Sequence, residues 1–350
     1  MAPAQLWLRI FLSGFAVIVA LLAVTLTTRV PYGDLSRIGL LSEEEFGWRI
    51  DQPRIDPQYL RASPVDQADI LVIGDSFSVT FGWQSALTKA GYHVTTIYWA
   101  ELNESLCGDF DEWLDRAGFR GKLIVLESVE RLLPERVENM KTCTKMKKPL
   151  KYRTEPFFTY PDRVPGFSLN WNAKLTSGYT TYRNTRQAKA TEHEILAAKK
   201  IWVRPVQDGC EMFSHLLCNK ALFFRDDDKN RELTEDDVAE LHKFSAAHTV
   251  RPILWMVIPN KTTTYVMPDH SKDFVAAFGR SDLGPELFTF ALKQKTRVRD
   301  FYFPNDTHLS TFGQLVLGER ILEAVQKIVP PSSENAATPA TPEDAIAHEH

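Results

Sequence analysis

The sequence lacks any excess of positive charge. Its 350 residues contain 41 lysines and arginines against 45 aspartates and glutamates, which gives a formal net charge of −4 at neutral pH. A chain with this balance has no global basic surface, so nucleic acid is excluded as an expected partner. Hydrophobic residues make up 44% of the chain, which is typical of a globular protein and not of a disordered one.

Cysteine is scarce. Only Cys107, Cys143, Cys210 and Cys218 are present, no Cys-x-x-Cys spacing occurs and no histidines cluster near them, so a metal site is not expected. The even number favours two disulfides in an oxidising compartment. Pairing Cys210 with Cys218 and Cys107 with Cys143 is the simplest of three arrangements that the sequence leaves open. Free buried thiols are the alternative.

Charge is absent from one long stretch near the N-terminus. Residues 10–26 are uncharged and are flanked by Arg9 and Arg29, and with Thr27 and Thr28 the run is just long enough to span a bilayer as a helix. We expect residues 1–30 to be an uncleaved membrane anchor, because no convincing small-x-small cleavage site follows the run. A cleaved signal peptide is the alternative. Under either interpretation the rest of the chain is exported.

The chain beyond the anchor divides into regions of different composition. Residues 31–66 are polar and contain proline, as expected of a stalk or lead-in to the domain. Residues 67–329 form the predicted α/β domain. Between about 136 and 231 the strand–helix alternation breaks, so we interpret this part as an irregular insertion in the sheet domain. Residues 330–350 have the composition of a disordered tail.

Apolar runs alternate with helix patterns in the domain, which favours a parallel sheet. The predicted strands are 70–73, 93–99, 122–126, 252–258 and a short one at 301–303, and the predicted helices include 82–89, 109–117 and 313–328. Within the insertion, four aromatic residues are candidates for stacking on sugar rings, although packing in the interior is the commoner role. They are Trp171, Tyr179, Tyr182 and Trp202.

The first strand ends in a Gly-Asp-Ser motif. Gly74 allows a sharp turn where the apolar run stops, and Ser76 follows at the carboxyl end of the strand. Open α/β sheets place their ligand sites at this edge. A serine there is a candidate nucleophile, although most such tripeptides in proteins are simple turns.

A second motif, Asp-Thr-His, precedes the last predicted helix. Asp306 and His308 are two residues apart, so the carboxylate can reach Nδ1 of the imidazole while Nε2 faces the cleft. His308 would then act as the base for Ser76. A lone Asp-x-His is more often a surface turn or a metal pair, and its position before a C-terminal helix favours a catalytic triad.

These motifs resemble those of the SGNH (GDSL-like) hydrolases. Residues 74–76 are similar to the first sequence block of that family, and Asp306 to Ser310 with Gly313 are similar to the last. The tight Asp-Thr-His spacing and the segments at 125–131 and 258–265 are most similar to exported exopolysaccharide O-acetyltransferases of the alginate type. The resemblance covers roughly residues 68–133 and 235–328. It implies a three-layer α/β/α flavodoxin-like sandwich and acetyl transfer to sugar hydroxyls outside the cytoplasm.

The chain departs from the family in two respects. The Asp-x-His element follows the serine, whereas in the alginate enzymes it precedes the serine. The usual Gly-x-Asn block is missing, so the donors to the oxyanion are weakly assigned. The backbone N–H of Ser76 is one candidate. Further candidates for oxyanion or substrate binding are Asp75, Asn103 and Gly108, together with Lys261, for which a solvated loop position is equally expected.

The sequence therefore predicts a single-pass protein of the inner (cytoplasmic) membrane, with an O-acetyltransferase domain in the periplasm and no cofactor. The resemblance implies a polysaccharide acceptor and an integral membrane-bound O-acyltransferase as the source of acetyl groups. A carbohydrate esterase of the same fold shares the triad and remains open as an alternative. A non-catalytic scaffold that only binds polysaccharide is the second alternative.

Overall fold

The structure, a computed structural model, describes residues 2–331. All but the first two residues of the predicted disordered tail, 330–350, therefore lie outside the described part of the chain. Strands and helices alternate between residues 70 and 142, as the apolar runs predict. The strands are β1 (Ile70–Gly74), β2 (Val94–Tyr98), β3 (Leu123–Val129), β4 (Ile195–Ala197), β5 (Ile201–Pro205), β6 (Lys220–Phe224) and β7 (Ile253–Ile258). The helices are α1 (Pro3–Thr27), α2 (Asp34–Gly39), α3 (Glu43–Phe46), α4 (Gln84–Lys89), α5 (Phe110–Arg116), α6 (Leu133–Thr142), α7 (Ser177–Ala190), α8 (Gly209–Met212), α9 (Glu235–Ala247), α10 (Lys261–Tyr265), α11 (Lys272–Gly279), α12 (Phe288–Gln294) and α13 (Thr311–Ile328).

Four parallel strands form the central sheet, in the order β2-β1-β3-β7. The chain leaves β1 toward β2 on one side and then crosses to β3 on the other side. The carboxyl end of β1 is therefore the point at which the strand order reverses, where open α/β sheets form a crevice. Ser76 lies two residues beyond the end of this strand.

Helices cover both faces of the sheet, because its strands are apolar at consecutive positions. Ile70 and Val72 of β1 pack in one cluster with α4 and α13, and Leu71 and Ile73 pack in another with α5 and α9. Side chains that alternate along a strand point to opposite faces. Strands buried on both faces are typical of parallel sheets, and the buried runs predicted from the sequence are confirmed.

The insertion predicted at 136–231 is not irregular throughout. It contains α7 and a three-stranded antiparallel sheet in the order β4-β5-β6. Its strands are short, and Ile201, Val203 and Leu222 bury one apolar face against residues that precede the main domain. The sequence prediction failed because polar and aromatic residues interrupt the alternation expected of half-buried strands.

The lead-in at 31–66 packs closely against the rest of the domain. Leu35, Phe46 and Trp48 are fully buried, and Leu35 and Phe46 share a cluster with the antiparallel sheet. Glu43 is also buried, where its carboxyl group accepts hydrogen bonds from the backbone N–H groups of Tyr32 and Gly33 at 2.9 and 3.1 Å. The same carboxyl group accepts from the hydroxyl of Ser36 and, at 2.6 Å, from the amide of Asn305. It thereby ties the lead-in to the loop before Asp306.

We expect Glu43→Ala to destabilise the protein by about 3 kcal/mol or more, because four donors would lose their buried acceptor. The matched control is Glu44→Ala, which removes half-exposed ion pairs with Arg29 and Arg49 and should cost under about 1 kcal/mol. Urea unfolding of the full chain in detergent measures both. Equal losses for the two variants would contradict this role of Glu43.

The N-terminal helix α1 is apolar and stands largely clear of the domain. It has 25 residues, and its most apolar 18-residue window has a mean hydropathy of 2.5 and is only 6% buried. Such a helix fits a membrane anchor or a signal sequence. The last turn of α1 packs on α7, where the Thr25 hydroxyl donates to the carbonyl of Leu175 at 2.7 Å.

All four cysteines are paired. Cys107 bonds to Cys143 and Cys210 to Cys218, which confirms the simplest of the predicted pairings. Disulfides form in oxidising compartments, so they favour a location outside the cytoplasm for the domain.

Candidate active site

The site lies at the carboxyl edge of the parallel sheet. Ser76 occupies the turn after β1 and is exposed, although its neighbours on both sides are buried. Its Oγ lies 2.8 Å from Nε2 of His308. Nδ1 of the same imidazole lies 2.7 Å from Oδ1 of Asp306. The structure thus brings together the three residues that the two distant motifs predicted, across 232 positions of sequence.

Buried polar groups fix the turn that carries Ser76. The carboxylate of Asp75 accepts from the N–H groups of Phe77 and Val129 and from the guanidinium of Arg136, at 2.8–3.1 Å. The N–H of Asp75 donates to Glu127 at 2.8 Å. Both oxygens of Asp75 are therefore occupied inside the protein. The prediction that Asp75 binds substrate is wrong, and the residue instead orients the nucleophile.

Asp306, in the turn before α13, and Phe77, in the turn after β1, position the imidazole. The N–H of His308 also donates to Oδ1 of Asp306 at 3.0 Å, which holds the side chain and backbone of the motif in one arrangement. The ring of Phe77, adjacent to the nucleophile, packs on the imidazole with 4.8 Å between ring centres. The short strand predicted at 301–303 reduces to a single bridge between Tyr302 and Leu309 on either side of this turn.

A second carboxylate, Asp34, reaches the site from the lead-in. Its Oδ1 and Oδ2 accept from the N–H and hydroxyl of Thr307 at 2.8 and 2.6 Å, and its own N–H donates to Oδ2 of Asp306 at 3.0 Å. Asp34 Oδ2 lies 4.0 Å from Nδ1 of His308. The sequence analysis missed this residue, because nothing in the local pattern at position 34 refers to a partner 272 residues away.

The charges of this cluster are coupled. Burial opposes a proton on His308, but the hydrogen bond and charge of Asp306 and the charge of Asp34 outweigh it and raise the pKa of the imidazole. Burial also acts on Asp34, and with the charge of Asp306 it raises the pKa of Asp34 to about 6. The pKa of Asp306 is held below its usual value despite burial, because His308 donates to it.

We expect Asp34→Asn to shift the acidic limb of the pH–rate profile to lower pH. The substitution keeps the shape of the side chain but removes a negative charge that raises the pKa of His308, so the imidazole stays neutral to lower pH. Less support for the imidazolium should also reduce kcat by about tenfold. Asp66→Asn, at an exposed position, is the control and should leave the profile unchanged. An acidic limb of the pH–rate profile that stays at the same pH or moves to higher pH in Asp34→Asn would contradict this effect of Asp34 on His308.

Ligating atoms of Asp34, Asp306 and His308 lie within 4.8 Å of one another, a spacing that also suits a metal ion. Each carboxylate oxygen here already accepts from an N–H or O–H group. Those hydrogens occupy the space that a cation would need. The donor set therefore fits a hydrogen-bonded triad better than a metal site.

Lys261 is neither solvated nor free to bind a substrate anion. It is 1% exposed, and its Nζ donates to the carbonyls of Phe303, Pro304 and Asp306 at 2.7, 2.8 and 3.2 Å. Burial lowers its pKa to about 7. Both predictions for Lys261 are wrong, because the side chain turns inward and supports the loop that carries Asp306.

Of the two oxyanion donors predicted after β2, Gly108 is wrong, whereas no contact in the described chain tests Asn103. The N–H of Gly108 donates to the carbonyl of Cys143 at 3.0 Å, so the disulfide-linked loop occupies it. Asn103 lines a cavity of about 190 Å³ beside the same disulfide, together with Lys145 and Met146 and without any triad residue. Both residues serve the junction with the insertion.

Two other groups are candidates to stabilise an oxyanion. Among the described residues, the backbone N–H of Ser76 has no protein acceptor, whereas those of Asp75 and Phe77 are both bonded. Arg131 follows β3 at the same edge of the sheet, and its charge acts on His308, whose pKa it lowers. The partners of the Arg131 guanidinium are 3.4 Å or more away, so it retains donors for a ligand.

The insertion contributes Tyr160 to the site. Its ring packs on Trp48 and Phe303, and its phenol faces Asp306. Burial, followed by the charges of Asp306 and Asp34, raises its pKa well above the ordinary value, so it remains a neutral donor.

Comparison with known proteins finds no family model, no curated protein and no solved structure that matches this chain.

Proposed function

We propose that this chain is a membrane-anchored O-acetyltransferase that acts on an extracytoplasmic polysaccharide through an acyl-serine intermediate. The observation that carries the proposal is the unbroken series of contacts from Ser76 Oγ through the His308 imidazole to Asp306, with distances of 2.8 and 2.7 Å. A serine linked in this way to an imidazole and a carboxylate is the arrangement of a covalent acyl-transfer catalyst.

The reaction has two steps, and in each step His308 accepts one proton and then releases it. Ser76 Oγ attacks the carbonyl carbon of an acetyl donor while His308 takes the serine proton and then passes it to the leaving group. In the second step His308 takes a proton from a sugar hydroxyl, which attacks the acyl-serine and forms the new ester. The proton then returns to Ser76 as the serine leaves. Asp306 holds Nδ1–H and stabilises the imidazolium throughout.

Each step passes through a tetrahedral oxyanion. The free N–H of Ser76 and the guanidinium of Arg131 are the groups we assign to it. Donors fixed in advance at the position of a developing charge typically supply the largest electrostatic contribution to such catalysis. The Arg131 assignment replaces the Gly-x-Asn block that the sequence lacks.

The architecture supports placement in the SGNH fold. The parallel strand order β2-β1-β3-β7, the helices on both faces and the serine at the reversal of strand order fit a flavodoxin-like sandwich. The antiparallel sheet β4-β5-β6 would then be an insertion between the third and fourth strands of that sandwich. The lead-in, which supplies Asp34, is a further addition.

A cavity of about 700 Å³ is the candidate acceptor site. Its lining includes none of Ser76, Asp306 and His308, but Tyr160 lines it and also faces Asp306. Thr80, Thr311 and Gln314 lie in its wall, where the Thr80 hydroxyl donates to Oε1 of Gln314 at 2.6 Å, and the exposed Arg54 also lines it. The size lies within the range of small-ligand sites, and polar side chains of this kind suit sugar hydroxyls.

The connection to α1 places the site near the membrane. Asp34 lies only seven positions after the end of α1 at Thr27, a span of at most about 25 Å when fully extended. With α1 in the inner membrane and the disulfide-bonded domain in the periplasm, the triad lies within reach of an acetyl donor delivered at the bilayer. An integral membrane-bound O-acyltransferase is the donor partner we propose.

The proposal is tested by giving the purified full chain an activated acetyl ester with and without an oligosaccharide. A transferase releases acetate slowly alone and forms acetylated sugar when the acceptor is present. Rapid acetate release that an acceptor does not alter would identify an esterase of the same fold. Absence of both products, with sugar binding intact, would identify a scaffold.

A further inference from the structure

We propose that residues 163–190, here called the interfacial segment, rest on the anionic lipid surface of the bilayer that α1 crosses. The segment comprises the loop before α7 and α7 itself. This inference rests on the proposed function only in that α1 is a retained membrane anchor. It does not depend on the chemistry of the triad.

The contacts of α1 set the height of the segment relative to the bilayer. The N–H of Asn170 donates to the carbonyl of Leu26 at 2.9 Å, and the hydroxyl of Thr25 donates to the carbonyl of Leu175 at 2.7 Å. Gly178 of α7 lies so close to the backbone of Thr25 that an added Cβ would approach it to 2.6 Å. A chain that is bonded to the last turn of a membrane-spanning helix must lie at the membrane–water boundary.

The length of α1 supports this placement. Trp7, which is 72% exposed, stands twenty residues before Thr27, a rise of about 30 Å along an α-helix. That distance equals the thickness of the hydrocarbon core of a bilayer. Trp7 and Trp171 would then lie at opposite interfaces, where tryptophan is enriched in membrane proteins.

The interfacial segment exposes an unusual number of large apolar side chains for a surface that faces water. Trp171 is 73% exposed, and six residues in all have relative exposures between 40% and 73%. They are Phe167, Leu169, Trp171, Leu175, Tyr179 and Tyr182. Tyrosine and tryptophan have an apolar body and a polar tip, which suits the headgroup region. We therefore assign lipid contact, and not sugar stacking, to Trp171, Tyr179 and Tyr182.

The charge of the segment selects the kind of lipid. Residues 163–190 contain no aspartate or glutamate and five basic residues. Lys174, Arg183 and Arg186 are exposed and take part in none of the ion pairs of the described chain, whereas Lys189 pairs with Glu45. Basic residues beside a membrane-spanning helix attract anionic headgroups by about 1 kcal/mol each. The whole protein is acidic, so this local excess is not a consequence of overall composition.

A cavity of about 590 Å³ opens at the junction of α1 and α7. Val24, Phe167 and Tyr182 contribute apolar surface to its wall. Arg29 pairs with Glu44 and Lys189 pairs with Glu45 in the same wall, so among the described residues Arg186 supplies its unpaired positive charge. Adjacent cationic and apolar surfaces at the height of the boundary suit a phospholipid headgroup and the start of its acyl chains.

Binding of the interfacial segment to the bilayer surface would fix the orientation of the domain. The buried face of α7 is joined to the lead-in, because the amide of Asn184 donates to the carbonyl of Gly39 at 3.1 Å and the N–H of Ser42 donates to the hydroxyl of Thr185 at 3.0 Å. The lead-in in turn supplies Asp34 to the triad. The segment and α1 thus form two attachments to the bilayer, and a two-point attachment prevents rotation of the active site about a single flexible linker.

The experiment uses the full chain in vesicles of phosphatidylethanolamine and phosphatidylglycerol that contain lipids brominated near the headgroup. Tryptophan fluorescence is compared between wild type and Trp171→Phe, so the difference reports Trp171 alone. We expect that difference to be lost to bromolipid quenching and protected from acrylamide added to the water. Trp113→Phe, which removes a buried indole of α5, is the control, and the fluorescence difference between wild type and Trp113→Phe should be quenched by neither agent.

A second measurement tests the charge. Lys174→Gln/Arg183→Gln/Arg186→Gln should lose the increase in Trp171 quenching that phosphatidylglycerol produces over phosphatidylcholine alone. The matched triple variant Lys243→Gln/Lys272→Gln/Lys293→Gln removes three exposed cations elsewhere and should retain the increase. Equal quenching in both lipids for wild type would overturn the assignment to anionic lipid.

Other results separate this inference from the proposed function. If acrylamide quenches Trp171 and bromolipid does not, the segment does not rest on lipid. That result would indicate a protein partner on this surface. If the intact mass shows that α1 has been removed from the mature protein, the contact with lipid is contradicted as well, whereas the proposed triad chemistry is unaffected. If bromolipid quenches Trp171 as expected but the protein has no acyl-transfer activity, the contact with lipid is supported and only the proposed function is contradicted.

Discussion

Replacing Ser76 with alanine is expected to lower kcat/KM for acyl transfer by about 10⁴-fold or more. The hydroxyl is the only group that forms the covalent intermediate, so water or an acceptor would have to attack the donor directly. Ser76 is exposed, and its side chain bonds only to His308 among the described residues, so the variant should fold and unfold as wild type does. The measurement is initial rate with an activated acetyl ester.

The control for this variant is Ser168→Ala, at another exposed serine. It should retain the wild-type rate. Activity of Ser76→Ala within tenfold of wild type would contradict covalent catalysis at this position and would favour the scaffold interpretation or a nucleophile elsewhere.

The second large effect is expected for Asp306→Asn, with kcat reduced by about 10³- to 10⁴-fold. The carboxylate accepts Nδ1–H, which leaves Nε2 unprotonated and able to take the serine proton. An amide that turns its NH₂ group to Nδ1 selects the opposite tautomer, and a neutral group no longer stabilises the imidazolium. Because the pKa of His308 is raised mainly by Asp306, the remaining activity should also show an acidic limb at lower pH.

Asp34→Asn provides the comparison for this effect. Both aspartates lie near the imidazole, but only Asp306 bonds to it, at 2.7 Å against 4.0 Å for Asp34. The loss of kcat for Asp306→Asn should therefore exceed that for Asp34→Asn by at least about a hundredfold. Similar losses for the two variants would mean that the roles of the carboxylates are shared or reversed.

Local sequence patterns predicted the buried strands and the two motif turns, because burial and backbone geometry at neighbouring residues determine them. The apolar runs that became β1 and β7 agree with the structure to within one residue at each end, since burial on both faces requires consecutive apolar residues. The Gly-Asp-Ser and Asp-Thr-His motifs pointed to Ser76, Asp306 and His308 because each side chain has a fixed relation to the turn that carries it.

The features that the sequence did not predict depend on distant contacts. The lead-in is polar in composition, yet Glu43 is buried because it meets Asn305, 262 residues away. Asp34 was not predicted as a site residue for the same reason. Lys261 looked like a loop lysine, and only the three carbonyls that surround it in the fold explain why a charged side chain is buried there.

The prediction that Gly108 donates to the oxyanion was wrong for a related reason. Whether a backbone N–H is free depends on which acceptor the fold brings to it, and the disulfide partner of Cys107 brings the carbonyl of Cys143 to Gly108. The pairing of cysteines was predicted from their number and spacing, but its consequence for a neighbouring N–H was not. Arg131 could be assigned only once the position of β3 beside β1 was known.

The most direct test of the account is mass spectrometry of the protein after brief mixing with an activated acetyl ester and acid quenching. The account predicts one added acetyl group, located on the peptide that contains Ser76, present in wild type, absent in Ser76→Ala and removed when an acceptor oligosaccharide is supplied. An acetyl group on another residue, or turnover of the ester at the wild-type rate by Ser76→Ala, would contradict it.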